Sequence, residues 1–265
     1  MYCPFGYFWL QNEITMLQFA GIIPARYAST RFPGKPLVMI NGKTMIHRVY
    51  IQASKVIDNV CVATDDIRIE KEVKNFGGNV IMTSPYHQSG TDRCAEALDK
   101  FEKQLELNFD VVVNIQGDEP FIQPAQLETL MRCFENANTQ IATLVKPIRS
   151  NEDVFNPNHV KAVIDKHNRA MYFSRSPIPY LRNKITSTWD TQHEYYKHIG
   201  IYAYRSGVLR ELTTLKQTSL EMAESLEQLR WLENGYYIMV EKTEFESLSV
   251  DTPEDLEKIK NLEFE

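Results

Sequence analysis

The chain has 265 residues, 35 of them acidic and 29 basic, with a formal net charge of −6. That length suits one large α/β domain carrying a smaller insert, with ample material for a buried core. The acidic balance excludes a broad phosphate-tracking surface of the kind nucleic acid binding needs, so any anion site must be local.

Residues 1–18 read as an N-terminal extension without the basic start of a secretory signal. Met16 stands just before the first convincing strand, so translation is expected to start there, leaving residues 1–15 outside the natural chain. Short β-branched runs predict strands at Phe19–Pro24, Asn59–Thr64, Asn79–Met82, Asp110–Ile115 and Gln140–Lys146. Between them, Thr44–Val56, Ile67–Phe76, Thr91–Leu105 and Pro124–Asn136 carry apolar residues at helical spacing. This alternation is the pattern of βαβ units and a mainly parallel sheet.

The second half changes character. Val160–Asp165, Ala170–Ser174 and His198–Tyr204 follow with turn-rich connections and predict mixed or antiparallel pairing, in a subdomain at about residues 155–215 within a domain spanning 19–265. Asn183–Glu194 is polar and aperiodic, and reads as a loop. Thr218 and Glu221 have capping-box spacing and open a helix expected to run to about Asn234 and Gly235. A last helix should begin at Thr252-Pro253, with proline in its first position.

Cys3, Cys61, Cys94 and Cys133 are dispersed and lack CxxC spacing, which argues against a disulfide framework or zinc site and fits a reducing cytoplasm. After the N-terminal stretch, no apolar run is long enough to span a bilayer, so no membrane role is expected.

The loop after the first strand, Pro24 to Pro36, brings Arg26, Arg31 and Lys35 together with small residues that expose backbone N–H groups. A loop at a strand's carboxyl end is where open α/β sheets bind ligands. Two arginines that can each grip two oxygens, with a lysine as a point charge, suit a polyphosphate. This is not a Walker loop: Gly34-Lys35 is followed by Pro36, and Ser29 stands where the leading glycine belongs. No GxGxxG is present either.

The run Asp110–Ile115 leads into Gln116-Gly117-Asp118-Glu119-Pro120. Asp118, at a strand end beside a glycine that permits close backbone approach, is a candidate magnesium ligand. Magnesium usually takes one or two protein carboxylates, so a second acid is expected from elsewhere. Asp251 supplies one, in Ser249-Val250-Asp251-Thr252-Pro253, where a short strand is expected to end and Thr252 to cap the next helix. Taken alone, Asp251 suits helix-end electrostatics as well as metal binding. Asp66 reads as a helix cap.

These pieces stand together in one pattern. Ile23–Leu37, His87-Gln88-Ser89-Gly90-Thr91, Asn114–Pro120 and Val250–Leu256 resemble segments of the CMP-Kdo synthetase (3-deoxy-manno-octulosonate cytidylyltransferase) family. The likeness extends through Phe173-Ser174-Arg175, His198–Tyr202 and Leu226–Arg230, and covers about Phe19 to Asn261. It implies a Rossmann-like, GT-A-like nucleotidyltransferase sheet with helices on both faces and a smaller mixed insert. It further implies transfer of CMP from CTP to the anomeric hydroxyl of 3-deoxy-D-manno-octulosonate (Kdo), with release of pyrophosphate, for lipopolysaccharide synthesis.

By the resemblance, Arg26, Arg31 and Lys35 hold the CTP phosphates, with Arg26 and Lys35 also catalytic. Asp118 and Asp251 hold Mg2+, while Gln88, Ser89 and Gly90 lie against the cytidine. The sugar-acid pocket is implied to contain Arg93, Gln116, Arg182, His198, Tyr202, Glu227 and Gln228, and the assembly to be a cytoplasmic homodimer. Asp92 departs from the family by replacing a common glutamate, and the stretch after Pro179 departs in wording. On helical spacing, Glu224, Glu227, Gln228 and Trp231 should share an exposed polar face, with Met222, Leu226 and Leu229 on the core side. His198 and Tyr202, four residues apart, should share a strand face. A cytidylyltransferase for a sialic acid, a metal-dependent glycosyltransferase and a non-catalytic nucleotide-binding protein remain as rivals.

Overall fold

A computed structural model describes residues 17–28, 32–246 and 248–259. The N-terminal extension and Arg31 therefore lie outside the described residues, apart from Leu17 and Gln18. In chain order come β1 (Phe19–Ala25), the short hairpin β2 (Met39–Ile40) and β3 (Lys43–Thr44), α1 (Met45–Ala53), β4 (Asn59–Thr64), α2 (Ile67–Asn75), β5 (Asn79–Met82), α3 (Gly90–Leu105) and β6 (Val111–Asn114). Then follow α4 (Pro124–Arg132), β7 (Ile141–Pro147), α5 (Asn151–Phe155), β8 (Lys161–Ile164), β9 (Ala170–Ser174), α6 (Trp189–Gln192) and β10 (Tyr196–Arg205). The chain continues through α7 (Ser206–Leu212), α8 (Ser219–Glu224), α9 (Gln228–Glu233), β11 (Ile238–Lys242) and α10 (Pro253–Ile259).

The main sheet has the order β11-β7-β10-β6-β1-β4-β5. β1 runs parallel to β4 and β6, β4 to β5, and β11 to β7, whereas β10 is antiparallel to both β6 and β7. β8 and β9 form an antiparallel pair attached to β10 through β8. Alternating residues feed two cores. Ala20 and Ile22 of β1 pack with α3, α7 and α9 through Leu98, Phe101, Leu209 and Trp231. On the other face, Ile23 and Ala25 pack with α1, α2 and α4 through Val49, Val73 and Leu127. Each such large side chain contributes about 1.5–3 kcal/mol by leaving water.

This topology gathers the carboxyl ends of β1, β4, β5 and β6 along one edge. Because β10 runs the other way, with Tyr202 opposite Asn114, its first half arrives at that same edge. The expected α/β class, mainly parallel sheet and helices on both faces are all present.

Several local expectations are corrected. The helix predicted from Thr218 breaks at Ser225, which takes φ 52 and ψ 49, so α8 and α9 are separate. Gln228 and Trp231 are buried and Met222 is exposed, against expectation, whereas Leu226 and Leu229 are buried as expected. Residues 183–194 are not structureless: a turn of 3-10 helix at Thr186–Thr188 leads into α6, and the buried Trp189 anchors it among Ile148, Val154 and Tyr195. Among the described residues no strand immediately precedes Asp251; Val250 is instead tied by its N–H to the Asp118 carbonyl at 2.9 Å. The helix from Pro124 stops at Arg132 and continues as a 3-10 turn over Cys133–Glu135.

Candidate active site

Three segments far apart in sequence meet at one point. β1 delivers Pro24 to the sheet edge, and the loop folds back through a bond from the Gly34 N–H to the Tyr27 carbonyl at 2.9 Å. Gly34 has φ 74, a conformation that favours glycine, and starts the short 3-10 turn Lys35–Leu37. Lys35 Nζ then lies 2.6 Å from Asp118 Oδ2 and 3.1 Å from Asp251 Oδ1. The Val250–Asp118 backbone bond sets the two acidic segments side by side. Thr252 caps α10 with Asp255, whose carboxylate accepts from the Asp251 and Thr252 N–H groups, so Asp251 stays outside the helix.

Two carboxylates facing one spot repel unless a cation stands between them. Here the Lys35 ammonium does so, at the mouth of the cation-bearing loop. All three side chains are only partly buried, with Asp118 27 % and Asp251 34 % exposed, so the spot is open to a ligand. Two hard oxygen donors fit magnesium, which takes its remaining ligands from water and phosphate. No cluster of three or more candidate metal ligands occurs among the described residues.

Arg26 leaves β1 and donates to the His87 carbonyl. That contact couples the loop after β1 to residues 84–90, which lead into α3. His87 in turn pairs with Glu96, which also accepts from the Ser84 N–H at 2.8 Å and from Lys100 at 2.7 Å. Burial would raise the Glu96 carboxyl, but the bonds from Lys100, Ser84 and His87 pull it down to about 2. Ser89 and Asp92 form a capping box at the start of α3, so the Asp92 substitution keeps the helix start intact. Gly90 faces the Pro24 ring, and Gln88 donates to the Tyr86 carbonyl.

Arg93, predicted as a pocket residue, is fully buried. Its Nη1 donates to Thr83 Oγ1 at 2.6 Å and its Nη2 pairs with Asp65 at 3.4 Å, while Nε has no partner among the described residues. It braces the ends of β4 and β5. Asp65 and Thr83 are members of this edge that sequence reasoning missed. Asp66 does cap α2, accepting from the Arg68 N–H at 2.9 Å.

Among the residues expected to hold the sugar acid, Gln116 Nε2 donates to the Gly200 carbonyl at 3.0 Å. Gly200 lies in a bulge of β10: Ile199 pairs with Leu144 and Tyr202 with Thr143, leaving Gly200 and Ile201 extra. The bulge brings the His198 and Tyr202 rings to 5.3 Å. Thr143 supports it, with its hydroxyl 3.1 Å from the Ile199 carbonyl, 2.8 Å from that of Ile201 and 3.1 Å from His198 Nε2. Burial pushes the His198 imidazole down to about 3, so it offers hydrogen bonds rather than charge. Thr143 was not legible as a site residue, since a lone threonine in a strand carries no motif.

Glu227 accepts from Thr91 Oγ1 at 3.0 Å, linking α9 to the first turn of α3. Burial raises its carboxyl, opposed by the Thr91 hydroxyl. Gln228 is buried, with Nε2 lacking a partner among the described residues. A cleft of about 590 Å³ opens between the start of α3 and the α8–α9 break, lined by Gln88, Ser89, Asp92, Ser225, Glu227 and Arg230; Lys35, Asp118, Asp251, His198 and Tyr202 are not among its lining residues. Arg182 is not brought here: it is exposed, and no hydrogen bond or ion pair among the described residues ties it to the pocket.

The described residues contain no helix long and apolar enough to cross a membrane. Among known proteins, the sequence profile of the cytidylyltransferase family matches residues 20–243. A 3-deoxy-manno-octulosonate cytidylyltransferase of Parabacteroides distasonis is 63% identical over 247 residues, covering 92% of this chain and 97% of that protein. One from Bacteroides thetaiotaomicron is 59% identical over 243 residues, covering 91% and 96%. A solved CMP:2-keto-3-deoxy-manno-octonic acid synthetase, complexed with CTP, superposes with a TM-score of 0.85 at 44% identity, over 92% of this chain and 98% of that one. The chain belongs to the cytidylyltransferase family and, within it, to the 3-deoxy-manno-octulosonate cytidylyltransferases.

Proposed function

We propose that the enzyme transfers CMP from CTP to the anomeric hydroxyl of Kdo, giving CMP-Kdo and pyrophosphate. The observation that carries this reading is the meeting of Lys35, Asp118 and Asp251 at the mouth of the loop after β1. The sugar oxygen attacks the α-phosphorus, the bond from that phosphorus to the bridging oxygen of the β-phosphate breaks to release pyrophosphate, and the hydroxyl proton passes to water. Such a transfer asks for positioning and charge neutralisation rather than a protein nucleophile.

Arg26 and Lys35 bind the triphosphate and stabilise the departing pyrophosphate, with Arg31 as a third cation of the same loop. Asp118 and Asp251 hold Mg2+. When bound, that ion would supply Lewis-acid stabilisation of the charge on the phosphate and the attacking oxygen. Gln88, Ser89 and Gly90 lie against the cytidine. Gln116, His198, Tyr202, Glu227 and Gln228 orient the sugar acid, with Arg93 behind them supplying charge. In this reading the product serves lipopolysaccharide synthesis and the protein works in the cytoplasm as a homodimer, both by likeness to the family.

A coupled pyrophosphate assay with each nucleoside triphosphate against Kdo and a sialic acid, with magnesium or with a chelator, tests the reading. CTP and Kdo should turn over only with the metal present. Turnover with another pair alone, or CTP binding without turnover, would overturn it.

A further inference from the structure

The Phe173-Ser174-Arg175 segment has no part in the chemistry above, yet it makes a specific set of contacts. Arg175 follows directly on β9. Its Nε donates to the Glu224 carbonyl at 2.8 Å, Nη1 to the Pro157 carbonyl at 3.2 Å and Nη2 to the Ser225 carbonyl at 3.4 Å. In return the Glu224 carboxylate accepts from Ser174 Oγ at 2.5 Å and from the Arg175 N–H at 2.9 Å. The end of a strand is thus clamped to the end of α8.

What the clamp holds is a conformation that serine does not favour. Ser225, with φ 52, sits in the left-handed region where glycine commonly ends a helix. The Leu226 N–H still reaches back to the Glu221 carbonyl at 3.3 Å, closing the turn. Past this break the chain changes direction, so that Glu227 reaches Thr91 and Gln228 and Trp231 turn inward. A continuous helix would have kept Gln228 and Trp231 on the face of Glu224.

We propose that Arg175 is a positioning residue for the sugar acid: by holding Ser225 in the left-handed conformation it aims Glu227 and Gln228 into the pocket. All three guanidinium nitrogens are engaged by backbone carbonyls, so Arg175 acts through the break rather than on the substrate. The proposal rests on the function given above for that pocket.

Steady-state kinetics on the full chain should vary Kdo at saturating CTP, and CTP at saturating Kdo. Wild-type turnover tests the reaction assignment by itself. Lysine cannot span three carbonyls, so Arg175→Lys should raise the KM for Kdo on the order of tenfold while the KM for CTP stays within about twofold. Adding Ser225→Gly to that variant should recover most of the loss, because glycine adopts the left-handed conformation freely. Amide exchange at residues 225–229 should quicken in Arg175→Lys and slow again in the double variant, a readout that does not depend on the reaction. Equal changes in both KM values, unchanged exchange, or no recovery with glycine would overturn the proposal, the last by making Arg175 a direct ligand. Should Arg175→Lys fail to fold, Ser174→Ala removes one bond into Glu224 and should give a smaller rise confined to the KM for Kdo; no selective rise there would overturn it equally.

Discussion

A Cβ placed on Gly117 would lie 2.8 Å from the carbonyl oxygen of Pro24, closer than real side chains come to a backbone atom. The glycine is what lets the loop carrying Asp118 pack directly on the end of β1, and so sets the acid opposite Lys35. Gly117→Ala must push one segment off the other. It should cost about 1–3 kcal/mol in urea unfolding and lower kcat/KM at least about tenfold through misplacement of Asp118. Gly207→Ala is the control: Gly207 is in α7, and its Cβ would meet nothing within 4 Å. Equal behaviour of the two variants would show that close packing at Gly117 is irrelevant to the site.

Asp118→Asn keeps the shape of the side chain and removes its charge. Lys35 retains Asp251 as a partner at 3.1 Å, so the loop should stay folded and the melting temperature should move by no more than a few degrees. Turnover should fall by roughly 10²–10³, the loss expected when charge stabilisation of a reacting phosphate is removed. The magnesium concentration needed for half-maximal residual rate should rise. Near-normal turnover at ordinary magnesium would remove Asp118 from the metal site.

Much of this was legible in local pattern, and the exceptions have a common cause. Asn59–Thr64, Asn79–Met82 and Ala170–Ser174 form strands with the predicted bounds, because β-branched runs there end at turn residues. Asp118 and Asp251 could be paired in advance since each follows an apolar run into a loop, although the run before Asp251 is not a strand. The break at Ser225 could not, because no glycine or proline marks it and the periodicity runs on unbroken. Its cause is Arg175, fifty residues away. The central place of β10 was equally hidden: strand order depends on which edges meet, and its bulge depends on Thr143 of a neighbouring strand. Arg93, assigned to the sugar-acid pocket by resemblance alone, did not read as a buried brace, since nothing in its own helix announces Asp65 and Thr83.

Glu96 should make stability depend on acid pH. Its carboxyl is held at about 2 in the folded chain, against an ordinary value near 4.5. A depressed folded pKa means stability that is present above the unfolded pKa and lost as pH falls from about 4.5 towards about 2. Allowing for partial exposure, that contribution is on the order of 2 kcal/mol at pH 7. Glu96→Gln should therefore be less stable than the parent chain by about that amount in urea at pH 7, with the gap narrowing at pH 3. A gap independent of pH would mean that packing, not the charge on Glu96, holds residues 84–90 in place.

Thr143→Val tests the bulge that shapes the sugar side. Valine matches threonine in size but cannot donate, so the inward carbonyls of Ile199 and Ile201 would lose the hydroxyl that lies 3.1 and 2.8 Å from them. Leaving buried acceptors unmet costs about 1–3 kcal/mol. The register of β10 would then favour closing the bulge, which would draw the His198 and Tyr202 rings out of their 5.3 Å contact. The KM for Kdo should rise while the KM for CTP holds, since the hydroxyl of Thr143 bonds to β10 through His198, Ile199 and Ile201 rather than to the loop after β1. A variant as stable as the parent, with an unchanged KM for Kdo, would show that the bulge maintains itself, and the aim of His198 would then have to come from its edge contact with Phe173 instead.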